Sequence, residues 1–206
     1  MDAGHKHHRE RALSLVKARG IARARDFQAA SIPGAFLQRL VESGEIIKLS
    51  RGLYQAADDV GRDASHDLAR AARLVPHGVI SLMSALDHHG LTDQRPDAVW
   101  MTIPHRARTP KSDTLRLVVV RATGEAMSSG VEHTLIEGVS VPVYGVAKTI
   151  ADCFKHRRHV GEAVAVQALC AALDQQKTSP DDLMAYARIN RVAAKMDACL
   201  TPPHGG

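Results

Sequence analysis

The stretch GIARARDFQAASIPGAFLQRLVESGEIIKLSRGLYQAA, residues 20–57, decides the fold of the N-terminal part. Ile21 follows Gly20 as an extended apolar residue. RARDFQAA, residues 23–30, reads as a short helix with Phe27 and Ala30 on its inner side. SIPG, residues 31–34, reads as a tight turn, and the fixed φ and missing N–H of Pro33 suit a helix start. Phe36, Leu37, Leu40 and Val41 then recur at the i, i+3, i+4 spacing of an amphipathic helix, which Gly44 stops. EIIKLS, residues 45–50, and GLYQA, residues 52–56, read as two short strands around Arg51 and Gly52. Upstream, Ala12, Leu15, Val16 and Arg19 set a first helix with Gly20 as its C-cap. Helix, short helix, turn, helix and two-stranded ribbon, in that order, predict a winged helix-turn-helix.

The charge falls on the same segment. The chain carries 27 Lys+Arg against 22 Asp+Glu, a net +5 over 206 residues. Ten of those bases and five of the acids lie in the first 55 residues, so this quarter carries the whole net charge. Such a concentration fits a polyanionic partner. On the third helix the apolar stripe leaves Gly34, Ala35, Gln38, Arg39 and Glu42 outward. Gln38 matches an adenine edge, and Arg39 matches guanine or a phosphate. The alternative for Arg39 is an i, i+3 pair with Glu42, worth about 0.2–0.5 kcal/mol. Arg23 and Arg25 open the second helix and suit phosphates; Lys48 and Arg51 flank the ribbon tip, where Gly52 permits a tight turn. Tyr54 is expected to pack under the wing. The expected DNA-binding set is therefore Arg23, Arg25, Gln38, Arg39, Lys48 and Arg51. Two later basic runs read as solvated faces: Arg106, Arg108, Lys111, Arg116 and Arg121 against Asp113, and Lys148, Lys155, Arg157 and Arg158 against Asp152.

AADDVGRDASH, residues 56–66, breaks the apolar periodicity and marks a boundary. Residues 1–62 are read as the winged helix, 63–200 as a larger mixed α/β domain, and TPPHGG, 201–206, as a disordered tail. In the larger part, helices are expected over 67–74 and 81–88, with Ser81 as a cap. Strands are expected over 99–103, 115–121, 131–136 and 139–144, with Glu137 and Gly138 as a two-residue hairpin turn. Pro142 argues that one of the last two is an edge strand. Helices near 146–154, 161–175, 180–188 and 192–200 close the chain, the third with a Ser179–Pro180–Asp181–Asp182 start signal. The fold class is α+β, and with aromatics at 3% its cores must be built mostly from Leu, Val, Ile and Ala.

Several chemistries are disfavoured. The longest apolar runs, such as 117–120, fall far short of the roughly 20 residues of a membrane span. The opening MDAGHKHHRERAL has no apolar signal core, and three widely spaced cysteines make no disulfide framework, so a cytoplasmic protein is expected. A metal-dependent nuclease core needs a carboxylate followed by Glu-x-Lys on a strand. Glu125, Glu132 and Glu137 lie near strands, but none has Lys two residues on. Cys153 and His156 at i, i+3 lack a second ligand pair, and Cys153 is read as an ordinary buried cysteine. His88 and His89 are read as structural, and His5, His7 and His8 are assigned to a mobile terminus. Lys148 and Asp152, at i, i+4, are expected to pair across a helix face. No catalytic set, metal site or cofactor is expected.

Residues 20–57 resemble the N-terminal winged helix of the AbiEi family, antitoxins and transcriptional regulators of AbiE-type phage-defence systems. The resemblance continues in PHGVISLMSALDHHGLTDQRPDAVWMTIP, 76–104, in GVEHTLIEGVSVPVYGVAKTIADCFKHRRHVGEAVAVQALCAAL, 130–173, and in LMAYARINRVAAKM, 183–196. It implies a non-enzymatic autorepressor whose winged helix binds inverted repeats in double-stranded promoter DNA. It also implies a cognate nucleotidyltransferase toxin, neutralised without a stable complex. The C-terminal domain carries antitoxicity in this family, which makes Lys148, Asp152, Arg157 and Arg158 an expected antitoxin surface. The alternative is a protein-interaction module that neutralises the nucleotidyltransferase by direct contact. Family members often open the third helix with small polar or basic residues. Pro33, Gly34, Ala35 and Phe36 stand there in this chain, which shifts base reading to Gln38, Arg39 and the wing.

Overall fold

The computed structural model describes residues 3–59 and 65–200. The boundary expected at residue 62 and the tail 201–206 lie outside the described residues. The described residues form a mixed α and β protein with two sheets. It divides into two compact units. The first comprises Met1–Pro76, Pro110–Arg116 and Thr134–Val141; the second comprises His77–Thr109, Leu117–His133 and Pro142–Gly206.

In the first unit, α1 (Ala3–Arg19), β1 (Ile21–Arg23), α2 (Ala24–Ala29), α3 (Gly34–Glu42), β2 (Ile46–Ser50), β3 (Leu53–Ala56) and α4 (His66–Leu74) follow in order. His5, His7 and His8, expected in a mobile terminus, belong to α1. Gly20 ends α1 at φ +63°, a left-handed conformation that favours glycine. The extended Ile21 opens a full third strand: β1 pairs antiparallel with β3, which also pairs with β2, in the order β1-β3-β2. Val16, Phe27, Ile32, Leu37, Leu40 and Ile46 close the core beneath this sheet. Tyr54 meets Phe27 edge-on, with ring centres 5.6 Å apart, which places it under the ribbon. At about 1.5–3 kcal/mol for each large side chain buried, this packing holds helices too short to persist alone in water.

The second unit contains β4 (Val79–Ile80), α5 (Leu82–His88), β5 (Val99–Pro104), β6 (Leu117–Ala122) and α6 (Glu125–Ser128). The hairpin β7 (Val131–Ile136) and β8 (Val139–Tyr144), of which Thr134–Val141 belongs to the first unit, is followed by α7 (Val146–Lys155), α8 (Arg157–Val160), α9 (Glu162–Asp174), α10 (Pro180–Ile189) and α11 (Ala193–Leu200). The strands order as β6-β5-β4-β8-β7, with β5–β6 and β4–β8 parallel and β4–β5 antiparallel. Glu137 and Gly138 make the β7–β8 turn, both at positive φ, as a two-residue hairpin with right-handed twist requires. Pro142 lies on β8, an internal strand; the edge is β7. The missing N–H is tolerated because β4 is two residues long and pairs with β8 through Ile80 and Val143 alone. Ser81 precedes α5, but its hydroxyl accepts from Thr102 at 2.9 Å instead of capping the helix. Ser179 does cap α10, accepting the Asp182 N–H at 3.1 Å. Helix α7 is the centre of this core, buried from Ala147 through Phe154 and packed by α5, α9, α10 and α11.

Candidate nucleic-acid interface

Local rules build the α2–α3 corner. Asp26 accepts the Arg23 backbone N–H at 2.7 Å and fixes the start of α2. The N–H groups of Ser31 and Ile32 return to Gln28 and Phe27 at 2.9 Å each, which closes the helix. Ser31 takes the left-handed conformation at φ +56° to make the turn, and Ile32 anchors it from within the core. Pro33, expected as the helix start, stands at the N-cap of α3, one position before Gly34, which opens the helix. The α3 stripe then buries Leu37 and Leu40, and Gly34, Ala35, Gln38, Arg39 and Glu42 are exposed. The Gln38 amide donates to Glu42 at 3.2 Å.

The ribbon is tied to α2 by its backbone. Gly52, at φ +76°, presents its carbonyl to the Ala24 N–H at 2.9 Å. Arg25 follows Ala24 and Arg51 precedes Gly52, so this hydrogen bond joins the two backbone segments that carry them. Between Lys48 and Ser50 the β2–β3 register shifts, which makes Leu49 the extra residue of a bulge near the ribbon tip.

Several basic side chains of the winged helix are held by the protein's own acceptors. Arg9 pairs with Glu45 at 2.5 Å, Arg19 pairs with Asp26 at 3.2 Å, and the Arg11 guanidinium donates to the Ala30 carbonyl. Arg23 belongs with these. Its guanidinium donates to the carbonyls of Arg73 and Leu74, at the last turn of α4, and is half-buried. Loss of solvent, with Arg25 and Arg73 close by, holds it below the ordinary arginine value. Arg25, Lys48 and Arg51 are exposed and make no ion pair among the described residues. Arg39 is exposed on α3 and already engaged in an interaction within the protein.

The expected antitoxin residues divide differently. Lys148 and Asp152 are 1% and 5% exposed, so they are interior groups and not part of a surface. Lys148 Nζ lies 2.5 Å from Asp152 Oδ1 and 4.1 Å from the centre of the Tyr144 ring, and Asn190 donates to the same Oδ1 at 2.7 Å. Their i, i+4 spacing was legible. Their burial follows from the helices packed around α7, which spacing alone does not reveal. Arg157 turns back to the Phe154 carbonyl at 3.1 Å, and Arg158 is exposed. Cys153 is fully buried, and His89 meets the Tyr144 carbonyl at 2.7 Å. Among the described residues, no group of three or more His, Cys, Asp or Glu side chains is placed to hold a metal ion.

Helices α1–α3 with the β2–β3 ribbon fit the class of winged-helix regulators. Residues 10–57 match the family described as "Transcriptional regulator, AbiEi antitoxin", so this N-terminal segment is similar to the AbiEi antitoxin regulators. The crystal structure of the RV2827C protein from Mycobacterium tuberculosis is similar in fold, with a TM-score of 0.58, 97% of this chain and 83% of that chain covered, and 16% sequence identity. A comparison with curated proteins found no match. Among the described residues, no helix is long and apolar enough to cross a membrane.

Proposed function

We propose that this chain is a non-enzymatic, cytoplasmic autorepressor that binds inverted repeats in double-stranded promoter DNA of its own toxin–antitoxin operon. In this reading α2 and α3 form the helix-turn-helix, α3 enters the major groove, and the β2–β3 ribbon is the wing. The proposed domains are 1–62 for DNA and 63–200 for antitoxicity. The observation that carries the reading is the contrast among the cations. Arg9, Arg11, Arg19 and Arg23 are spent on the protein's own acceptors, whereas Arg25, Lys48 and Arg51 stay exposed and unpaired around the hydrogen bond from Ala24 to Gly52. An unpaired exposed cation is the group that gains most by displacing counterions from a phosphate. Arg23 keeps a place in the site as a positioning residue at the start of α2. Gln38 and Arg39, on the outer face of α3, read base edges.

The partner on the antitoxin side is a nucleotidyltransferase toxin, neutralised without a stable complex. Arg157 and Arg158 lie at the start of α8, and the buried Lys148–Asp152 pair supports the fold behind them.

The test is footprinting of the operon promoter with the full chain. Protection of paired half-sites, lost when that sequence is scrambled, is the expected result. Absence of any protected sequence contradicts the proposal, and stable co-purification with the nucleotidyltransferase replaces the indirect mechanism with direct contact.

A further inference from the structure

One of the basic runs, residues 106–121, plays no part in the winged helix, yet part of it is fastened to the wing. Leu49 is the bulge residue of β2, so its carbonyl stands outside the β2–β3 ladder. Two side chains take it. The Thr114 hydroxyl donates to it at 3.2 Å, and the Arg70 guanidinium at 3.4 Å. Arg70 also donates to the Thr114 hydroxyl at 2.9 Å and to its carbonyl at 3.3 Å, and is held in turn by Asp67 at 2.8 Å. The Ser112 hydroxyl accepts from the N–H groups of Thr114 and Leu115 at 3.4 and 3.1 Å, and Leu115 is buried. Pro110–Arg116 is thereby a fixed strap of the first unit, with Lys111, Asp113 and Arg116 exposed.

We propose that this strap is a second DNA-backbone contact beside the wing, with Lys111 and Arg116 as its phosphate-contacting cations. The inference rests on the winged helix of residues 1–62 binding DNA, and it extends that surface to a strap that the chain supplies from beyond residue 62. Lys111 and Arg116 lie within three residues of Thr114, a reach of at most about 11 Å of extended chain. Lys48 and Arg51 lie one and two residues from Leu49 at the other end of the tether. Duplex DNA presents one charge for about every 1.7 Å of axis, so cations this close to a docked wing still meet phosphates. Asp113 opposes them, and this gives the proposal a second, oppositely signed consequence.

The experiment measures binding of the full chain to its own promoter duplex and to a scrambled duplex, at about 50 and about 200 mM salt. The double variant Lys111→Ala/Arg116→Ala is expected to weaken both duplexes alike, because phosphates carry no sequence. Two lost contacts lower the salt slope by about 2, so its deficit is about tenfold larger at the lower salt than at the higher. Asp113→Asn is expected to strengthen binding. Thermal unfolding of the single variants Lys111→Ala and Asp113→Asn should not change, because both side chains are exposed. An unchanged slope with the wild-type chain still binding overturns the strap and leaves the wing reading standing. Failure of the wild-type chain to bind either duplex overturns both.

Discussion

Lys148 and Asp152 sit one turn apart on α7 with Nζ 2.5 Å from each carboxylate oxygen, and both side chains are buried. Burial holds Lys148 below the ordinary lysine value, although Asp152 pulls the other way. Such a pair contributes little beyond what two well-packed apolar groups would, but each half is costly without the other. Asp152→Ala is therefore expected to destabilise the chain by about 3–5 kcal/mol in chemical denaturation. Lys148→Met combined with Asp152→Leu should recover most of that loss. Equal losses in the single and double variants would show that shape, and not the stranded charge, sets the cost.

A second prediction concerns Gly20. A Cβ at this position would lie 1.5 Å from the Glu137 carbonyl oxygen, on backbone already at φ +63°. Gly20→Ala combines a backbone clash with a left-handed alanine and should cost about 2 kcal/mol or more. Gly44 is also left-handed, at φ +73°, but faces open space, so Gly44→Ala should cost about 1 kcal/mol. Denaturation midpoints of the two variants check the difference.

The third prediction follows from His156. Loss of solvent holds its ring below the ordinary value of 6.5; Asp152 opposes this, and Lys155, His159 and Lys148 reinforce it. Because the folded-state value is the lower one, the unfolded chain takes up a proton first as pH falls. Stability is then full above about 6.5 and declines as pH drops toward the folded-state value. Thermal unfolding between about pH 7.5 and pH 5.5 should show this slope, and His156→Gln should flatten it.

The thiols offer a fourth. Cys153 is buried and its thiol is pushed up by loss of solvent, whereas Cys170 and Cys199 are exposed. A thiol reagent should modify two cysteines in the native chain and the third only on unfolding. Rapid reaction of all three would mean that α7 opens in the folded state.

What the sequence made legible is what local rules govern. The turn around Ser31 and Pro33, the stripe Leu37–Leu40 and the stop at Gly44 depend on residues within a few positions, and each is found. The same holds for the Glu137–Gly138 hairpin and the Ser179 cap. Very short elements carry no period: β4 has two residues and α6 has four, too few for alternation or a helical stripe to register. Long-range polar contacts are also silent. The tether from Thr114 to Leu49 joins residues 65 apart through a backbone carbonyl freed by a bulge, and no residue type announces it. Likewise, the sequence offered Arg23 and Arg25 as equals. Only the carbonyls of Arg73 and Leu74, about 50 residues away, separate a positioning arginine from an exposed one.

The central claim is that Arg25, Arg39, Lys48 and Arg51 meet phosphates and bases on one duplex. Its most direct test is the salt dependence of binding between the full chain and its own promoter, for the wild type and for Arg51→Ala. Neutralisation of about 4–6 phosphates gives a slope of log K against log salt of about −3.5 to −5.5, and Arg51→Ala should reduce it by about 1. A wild-type slope near zero, or an Arg51→Ala variant that binds with the wild-type slope and affinity, would contradict the account.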